Sequence, residues 1–226
     1  MNDFSQLEAA IGYTFQNKAL LTRAMTHTSY ANESGGSHNQ SNERLEFLGD
    51  SVLGVITAEY LFLHDRSLPE GELTKLRAAS VCEKALCEYA KDISLGSYLL
   101  LGKGELCTGG SERPSILADA FEALIAAIFL DGGMDAAKGF VLKYIEKATT
   151  EQRNFKDYKT MLQEVVQKNP GESIEYVLVD AVGPDHDKRF TVEVHLHSNV
   201  IGTGTGTSKK KAEQAAAKEA LALMGL

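Results

Sequence analysis

Glu46 and Asp50 stand four residues apart in the stretch "NERLEFLGD" (Asn42 to Asp50), which leads into the apolar run "SVLGVITAEYLF". On a helix that spacing stacks two carboxylates on one face, where like charges repel. The stretch "SILADAFEALIAAIFL" repeats the pattern: Asp119 and Glu122 are three apart, and the rest of the segment is almost wholly apolar. Carboxylates on helices otherwise suited to an interior are costly unless something cationic meets them. If the two acidic sides face each other, a hard divalent cation resolves the conflict. Mg²⁺ takes oxygen ligands and keeps several waters. It polarises phosphoryl oxygens and lowers the pKa of an attacking water. The chemistry implied is metal-dependent hydrolysis of a phosphate ester. A second account stays open from spacing alone: each pair could lie at a solvated helix edge, or be absorbed by Arg44, Arg77 or Arg113.

Helices must position these groups, and residues 1–150 supply them. "FSQLEAAIGY", "NKALLTRAMTH", "ERLEFLGDSVLGVITAEYLFLH", "EGELTKLRAASVCEKALCEYAKD", "SILADAFEALIAAIFLDGG" and "MDAAKGFVLKYIEKATT" carry apolar residues near 3.6 spacing. Pro69 and Pro114 mark helix starts, and Ser41 or Asn42 caps the helix that carries Glu46. Residues 1–150 are therefore expected to be an all-α domain. Residues 151–157 are polar, without apolar periodicity, and read as a linker that leaves the next domain's orientation variable. From 158 to 226 the texture becomes α-β-β-β-α. "YKTMLQEVVQKN" is a short amphipathic helix. "IEYVLVDAV", "RFTVEVHLHS" and "NVIGTGTG" have the β-branched content and alternation of strands, with turns at "GPDHDK" and "SN". "SKKKAEQAAAKEALALM" is an Ala-rich helix capped by Ser208. This is a small α+β domain.

Composition sets bounds on partners and compartment. Of 226 residues, 43% are hydrophobic, ample for a core. No apolar segment is expected to reach the roughly 20 residues that span a bilayer, and "MNDFSQLEAA" lacks the basic start and apolar block of a secretory signal. Three cysteines without a CxxC pair suggest reduced thiols in a cytoplasmic protein and argue against a zinc site. The net charge of −8 is unevenly spread. Residues 1–150 hold 13 Lys+Arg against 20 Asp+Glu, whereas 151–226 hold 10 against 11 and contain the densest basic cluster, Lys209-Lys210-Lys211. A local patch of that kind binds phosphate despite an acidic average.

Four stretches, in this order, resemble the bacterial ribonuclease III family: "HTSYANE" (from His27), "NERLEFLGDSVL" (from Asn42), "EGELTKLRA" (from Glu70) and "SILADAFEALIAAIFLDGG" (from Ser115). "ERLEFLGDS" is that family's signature stretch, and the tail resembles a double-stranded-RNA-binding domain, so the likeness covers essentially the whole chain. The resemblance implies an endonuclease that cuts both strands of duplex RNA with Mg²⁺, Mn²⁺ being a substitute. It implies metal ligation by Glu46, Asp119 and Glu122, and catalytic roles for Asp50, which would hold the cation's water shell or the attacking water, and for Glu122. It also implies 5′-phosphate and 3′-hydroxyl ends with short 3′ overhangs, and processing of ribosomal RNA precursors and other structured transcripts. Glu43 and Glu70 would lie near the RNA-processing cleft. Each reads equally well as a helix-start charge favoured by the macrodipole. Nothing in the sequence pairs His27 with a nucleophile. A hydrogen-bonded structural histidine is the simpler expectation, and Ser29 and Tyr30 share that status.

A-form RNA hides its base edges, so duplex RNA is read by shape, through 2′-hydroxyls in the minor groove and phosphates across the major groove. The tail offers three contact elements for that: Gln163 and Glu164 on its first helix, His186 in the "GPDH" turn, and Lys209, Lys210 and Lys211 at a helix N-terminus, where dipole and free N–H groups favour phosphate. "GTGTG" lacks dinucleotide-fingerprint spacing and suits a strand that tolerates close backbone approach. Cutting both strands calls for two centres, and apolar Leu45, Phe47 and Leu48 point to more than one side of their helix. A two-fold homodimer across one duplex accounts for this, as does ordinary core packing. Two rival functions are a non-catalytic RNA-binding module and a small-molecule phosphohydrolase. Four retained acids count against the first, and the tail counts against the second.

Overall fold

The computed structural model describes residues 3–35, 40–154, 158–169, 171–184 and 188–226. Its contacts divide the chain into two units, Met1–Arg153 and Asn154–Leu226.

The first unit is helical: α1 (Ser5–Ile11), α2 (Lys18–Ala24), α3 (Thr28–Glu33), α4 (Glu43–His64), α5 (Glu70–Ser80), α6 (Glu83–Asp92), α7 (Lys103–Cys107) and α8 (Pro114–Asn154). Pro114 opens α8, where a missing N–H costs nothing, and Pro69 sits at the N-cap of α5. Inside α8 the chain breaks helical geometry at Gly133, whose φ of 79° is left-handed. Two apolar helical segments therefore meet there, as the "DGG" sequence suggests. Leu53, Ile56 and Leu61 of α4 and Phe121, Leu124 and Ile125 of α8 form the middle of the core. Phe121 is ringed by Tyr89, Phe140 and Tyr144 at centroid distances of 5.2–5.8 Å.

Two expectations are corrected. Helix α4, at 22 residues, is long and apolar enough to cross a membrane by length and composition. The reason is that it is apolar on two sides. Leu45, Val52, Leu53, Ile56 and Leu61 enter the core, while Phe47, Val55 and Phe62 stay exposed. Helix α8 also continues to Asn154, into the polar segment expected to be linker from 151; residues 155–157 lie outside the described residues.

The second unit comprises α9 (Tyr158–Gln167), β1 (Ile174–Val182), β2 (Arg189–Leu196), β3 (Asn199–Gly206) and α10 (Lys209–Leu223). The sheet is antiparallel in the order β1-β2-β3. Val194 pairs with Tyr176 on one side and Gly202 on the other, and it packs with Leu162, Val166, Ala216, Ala217 and Ala220 in a separate core. The turn between β2 and β3 falls at His197–Ser198, one residue earlier than the sequence suggests, with His197 at φ 57°. Gly202, Gly204 and Gly206 alternate toward α10. A Cβ at Gly202 would lie 2.8 Å from Ala220 N, and one at Gly206 would lie 2.6 Å from Ala212 N. The glycines thus let the helix backbone rest directly on the strand.

Candidate metal centre and nucleic-acid interface

Helices α4 and α8 cross at Gly49. A Cβ there would collide with the backbone carbonyl of Glu122, so no side chain separates the two helices at the point flanked by Glu46 and Asp50. This crossing brings the two acidic pairs together. Carboxylate oxygens of Glu46, Asp119 and Glu122 all lie within 4.8 Å of one another. Each of these residues is partly buried, while Asp50 is exposed. Among the described residues none of the four carboxylates makes a hydrogen bond or ion pair. Arg113, one of the candidate neutralising cations, pairs with Glu105 and donates to Thr108 Oγ1 at 3.2 Å instead.

Proximity without compensation raises the carboxyl pKa values. Burial pushes Glu122 up to about 8, with Asp50, Glu46 and Asp119 adding to the shift. Burial also raises Glu46, reinforced by Asp119, Glu43 and Asp50. Asp119 is raised first by burial and then by Glu83, and His27 acts in the opposite direction. Three half-buried carboxylates that repel one another form a donor set suited to a hard divalent cation, which takes oxygen ligands and tolerates retained water.

The neighbours sort differently. Glu43 is exposed, accepts a hydrogen bond from Ser41 Oγ at 3.2 Å, and borders the cluster through its effect on Glu46. Glu70 is the exposed first residue of α5, where it accepts from Thr74 Oγ1 at 2.8 Å. It lines a surface hollow with Val55, Phe62, Leu73 and Arg77 rather than joining the three clustered acids. Glu83 and His27 are the neighbours of Asp119 that spacing did not reveal. Glu83 opens α6, and His27 is the N-cap of α3. His27 Nδ1 accepts from Ser29 N at 3.2 Å and lies 2.8 Å from Ser29 Oγ, which in turn accepts from Gly102 N at 2.9 Å. Tyr30 is exposed.

In the second unit Gln163 and Glu164 are exposed on α9. Lys209, Lys210 and Lys211 are exposed in the first turn of α10, and Ser208 Oγ caps that helix by accepting from Lys211 N at 3.3 Å. Gly183, which follows β1, has a left-handed φ of 109°, whereas His186 lies outside the described residues. Cys82, Cys87 and Cys107 are free thiols.

Comparison with known proteins matches residues 17–149 to the family described as ribonuclease-III-like, and residues 158–224 to the double-stranded RNA binding motif. The chain is 49% identical to ribonuclease 3 of Caldanaerobacter subterraneus subsp. tengcongensis over 223 residues, covering 97% of both chains. It is 48% identical to ribonuclease 3 of Oceanobacillus iheyensis over 221 residues, again covering 97% of each. Among solved structures, the nuclease domain of ribonuclease III from Campylobacter jejuni, whose structure addresses a region involved in dimer formation, superposes with a TM-score of 0.60 at 44% identity. That match covers 65% of this chain and 98% of the other.

Proposed function

Because the chain belongs to the ribonuclease III family and carries a double-stranded RNA binding motif, we propose that it is an endonuclease that cleaves both strands of double-stranded RNA by attack of water. The observation that carries this reading is the convergence of Glu46, Asp119 and Glu122 oxygens within 4.8 Å, beside a fourth acid, Asp50, that raises the pKa of Glu122.

Glu46, Asp119 and Glu122 would hold a divalent cation, Mg²⁺ by its preference for carboxylate oxygen and retained water, with Mn²⁺ as substitute. A cation bound there supplies Lewis-acid polarisation of the scissile phosphate and a lowered pKa for the attacking water. Asp50, exposed and without a hydrogen bond among the described residues, would accept from the attacking water and align it. Glu122, whose pKa burial raises to about 8, would have to give up its proton to ligate such a cation. The products carry 5′-phosphate and 3′-hydroxyl ends, because water rather than the neighbouring 2′-hydroxyl is the nucleophile.

The second unit holds the duplex. Gln163, Glu164 and His186 meet minor-groove hydroxyls, and Lys209, Lys210 and Lys211 meet phosphates across the major groove. The exposed apolar face of α4, with Phe47 78% and Phe62 71% exposed, fits a two-fold contact between copies of this chain. Two centres on one duplex then account for paired cuts. Glu43 and Glu70 lie on the RNA path rather than on the cation. Ribosomal RNA precursors and other structured transcripts in the cytoplasm are the substrates this reading supports.

The test compares wild type with Glu122→Gln on long duplex RNA, with and without Mg²⁺. Cleavage by wild type with metal alone, and a retained gel shift by the variant, is the expected result. Duplex RNA bound but uncut under every condition would leave a non-catalytic binding protein.

A further inference from the structure

Lys159 is the second residue of α9, a place where the helix macrodipole disfavours a cation. Three contacts hold it there. Its Nζ lies 2.7 Å from Glu213 Oε2 of α10, the two side chains being 38% and 27% exposed. The same ammonium stands 4.5 Å from the centre of the Tyr176 ring on β1, a cation–π distance. Its backbone N–H donates to Gln214 Oε1 at 3.4 Å. The start of α9 is thereby fastened to the second turn of α10.

That ion pair decides where the charge of Glu213 goes. Glu213 follows Lys209 by four residues and Lys210 by three, the two spacings at which side chains meet on a helix surface. Left to its own helix, the carboxylate would neutralise one of these lysines. It is turned toward α9 instead, and among the described residues no ion pair engages Lys209, Lys210 or Lys211. The preference has a physical basis. A lysine that precedes its acid by four residues is the weaker order of such a pair, and two fully exposed flexible side chains gain little by meeting. The Lys159 ammonium is more sheltered and backed by a ring. Building on the reading of the α10 lysines as phosphate contacts, we propose that Lys159 is a positioning residue for that interface: by drawing Glu213 across to α9, it leaves the first-turn lysines of α10 unneutralised and free to meet RNA phosphates.

A double-mutant cycle tests this on the full chain, by filter binding to long duplex RNA in EDTA at several salt concentrations, with every variant kept below its melting transition. Lys159→Met retains the aliphatic stem and removes the charge, and Glu213→Gln removes the acid. Lys159→Met should weaken binding about fivefold, within the range for coupled neighbours, and should lower the slope of log affinity against log salt by about 1. Adding Glu213→Gln to it should restore most of the affinity and the slope, whereas Glu213→Gln in wild type should change both much less. Equal effects of Glu213→Gln in the two backgrounds would overturn the proposal. A lowered slope that the double variant does not restore would overturn it too, and would make Lys159 a phosphate contact in its own right. Wild-type affinity and slope in Lys159→Met, with only its melting temperature reduced, would leave the pair a structural contact. Failure of the interface reading is separately visible: Lys210→Ala with Lys211→Ala would then bind as wild type does, and this role would fall with it.

Discussion

Gly49 of α4 and Glu122 of α8 touch backbone to backbone, leaving no room for a Cβ between them. That contact sets the spacing of all four acids, since Glu46 and Asp50 flank Gly49 and Asp119 lies one turn before Glu122. Gly49→Ala should therefore force the helices apart, costing about 2 kcal/mol in denaturant unfolding and depressing cleavage further than the stability loss alone would. A variant that unfolds and cuts like wild type would show that the crossing has slack.

The pKa of Glu122 near 8 predicts a stability that depends on pH in the metal-free protein. The folded state keeps a proton that the unfolded chain releases near the ordinary glutamate value of 4.5. Between those two values the native state binds more protons, so stability falls as pH rises and levels off above about 8. Melting temperatures from pH 5 to 8.5 should show this decline, and Glu122→Gln should flatten it. Mg²⁺ should stabilise more at pH 8.5 than at pH 6, because binding displaces the proton.

Lys210→Ala combined with Lys211→Ala should weaken binding to every duplex sequence alike and lower the slope of log affinity against log salt by about 1–2. Filter binding at several salt concentrations measures this. An unchanged slope would remove both lysines from the phosphate interface.

Val55→Asp and Phe62→Asp alter exposed apolar positions of α4, so the first unit should still fold. Light scattering should report half the wild-type mass, and RNA products should shift from paired cuts to single nicks. A mass equal to wild type would place the two-fold contact elsewhere.

Sequence patterning exposed much of this arrangement for identifiable reasons. Glu46, Asp50, Asp119 and Glu122 stood out because each interrupts an apolar helix, and helical spacing already placed each pair on one side. Glu83 and His27 did not stand out, because they reach Asp119 from α6 and α3 through tertiary packing that no short spacing encodes. Glu70 resembled a site acid, yet an acid opening a helix looks the same whether it serves the macrodipole or a ligand, and it lines the hollow beside Phe62. The bounds of α4 match the helical pattern of the sequence, but its apolar extent exceeds expectation because it has two apolar faces, a core on one side and an exposed face on the other.

Where β3 lies under α10, the glycines at 202, 204 and 206 leave nothing adjustable between strand and helix. A joint made of main chain alone has no rotamers to change, so the basic turn at Lys209 is carried at a fixed height above the sheet. On the proposed reading, the second unit would then act as a caliper whose opening is set by peptide geometry, a device for gauging a helix by its dimensions rather than its letters.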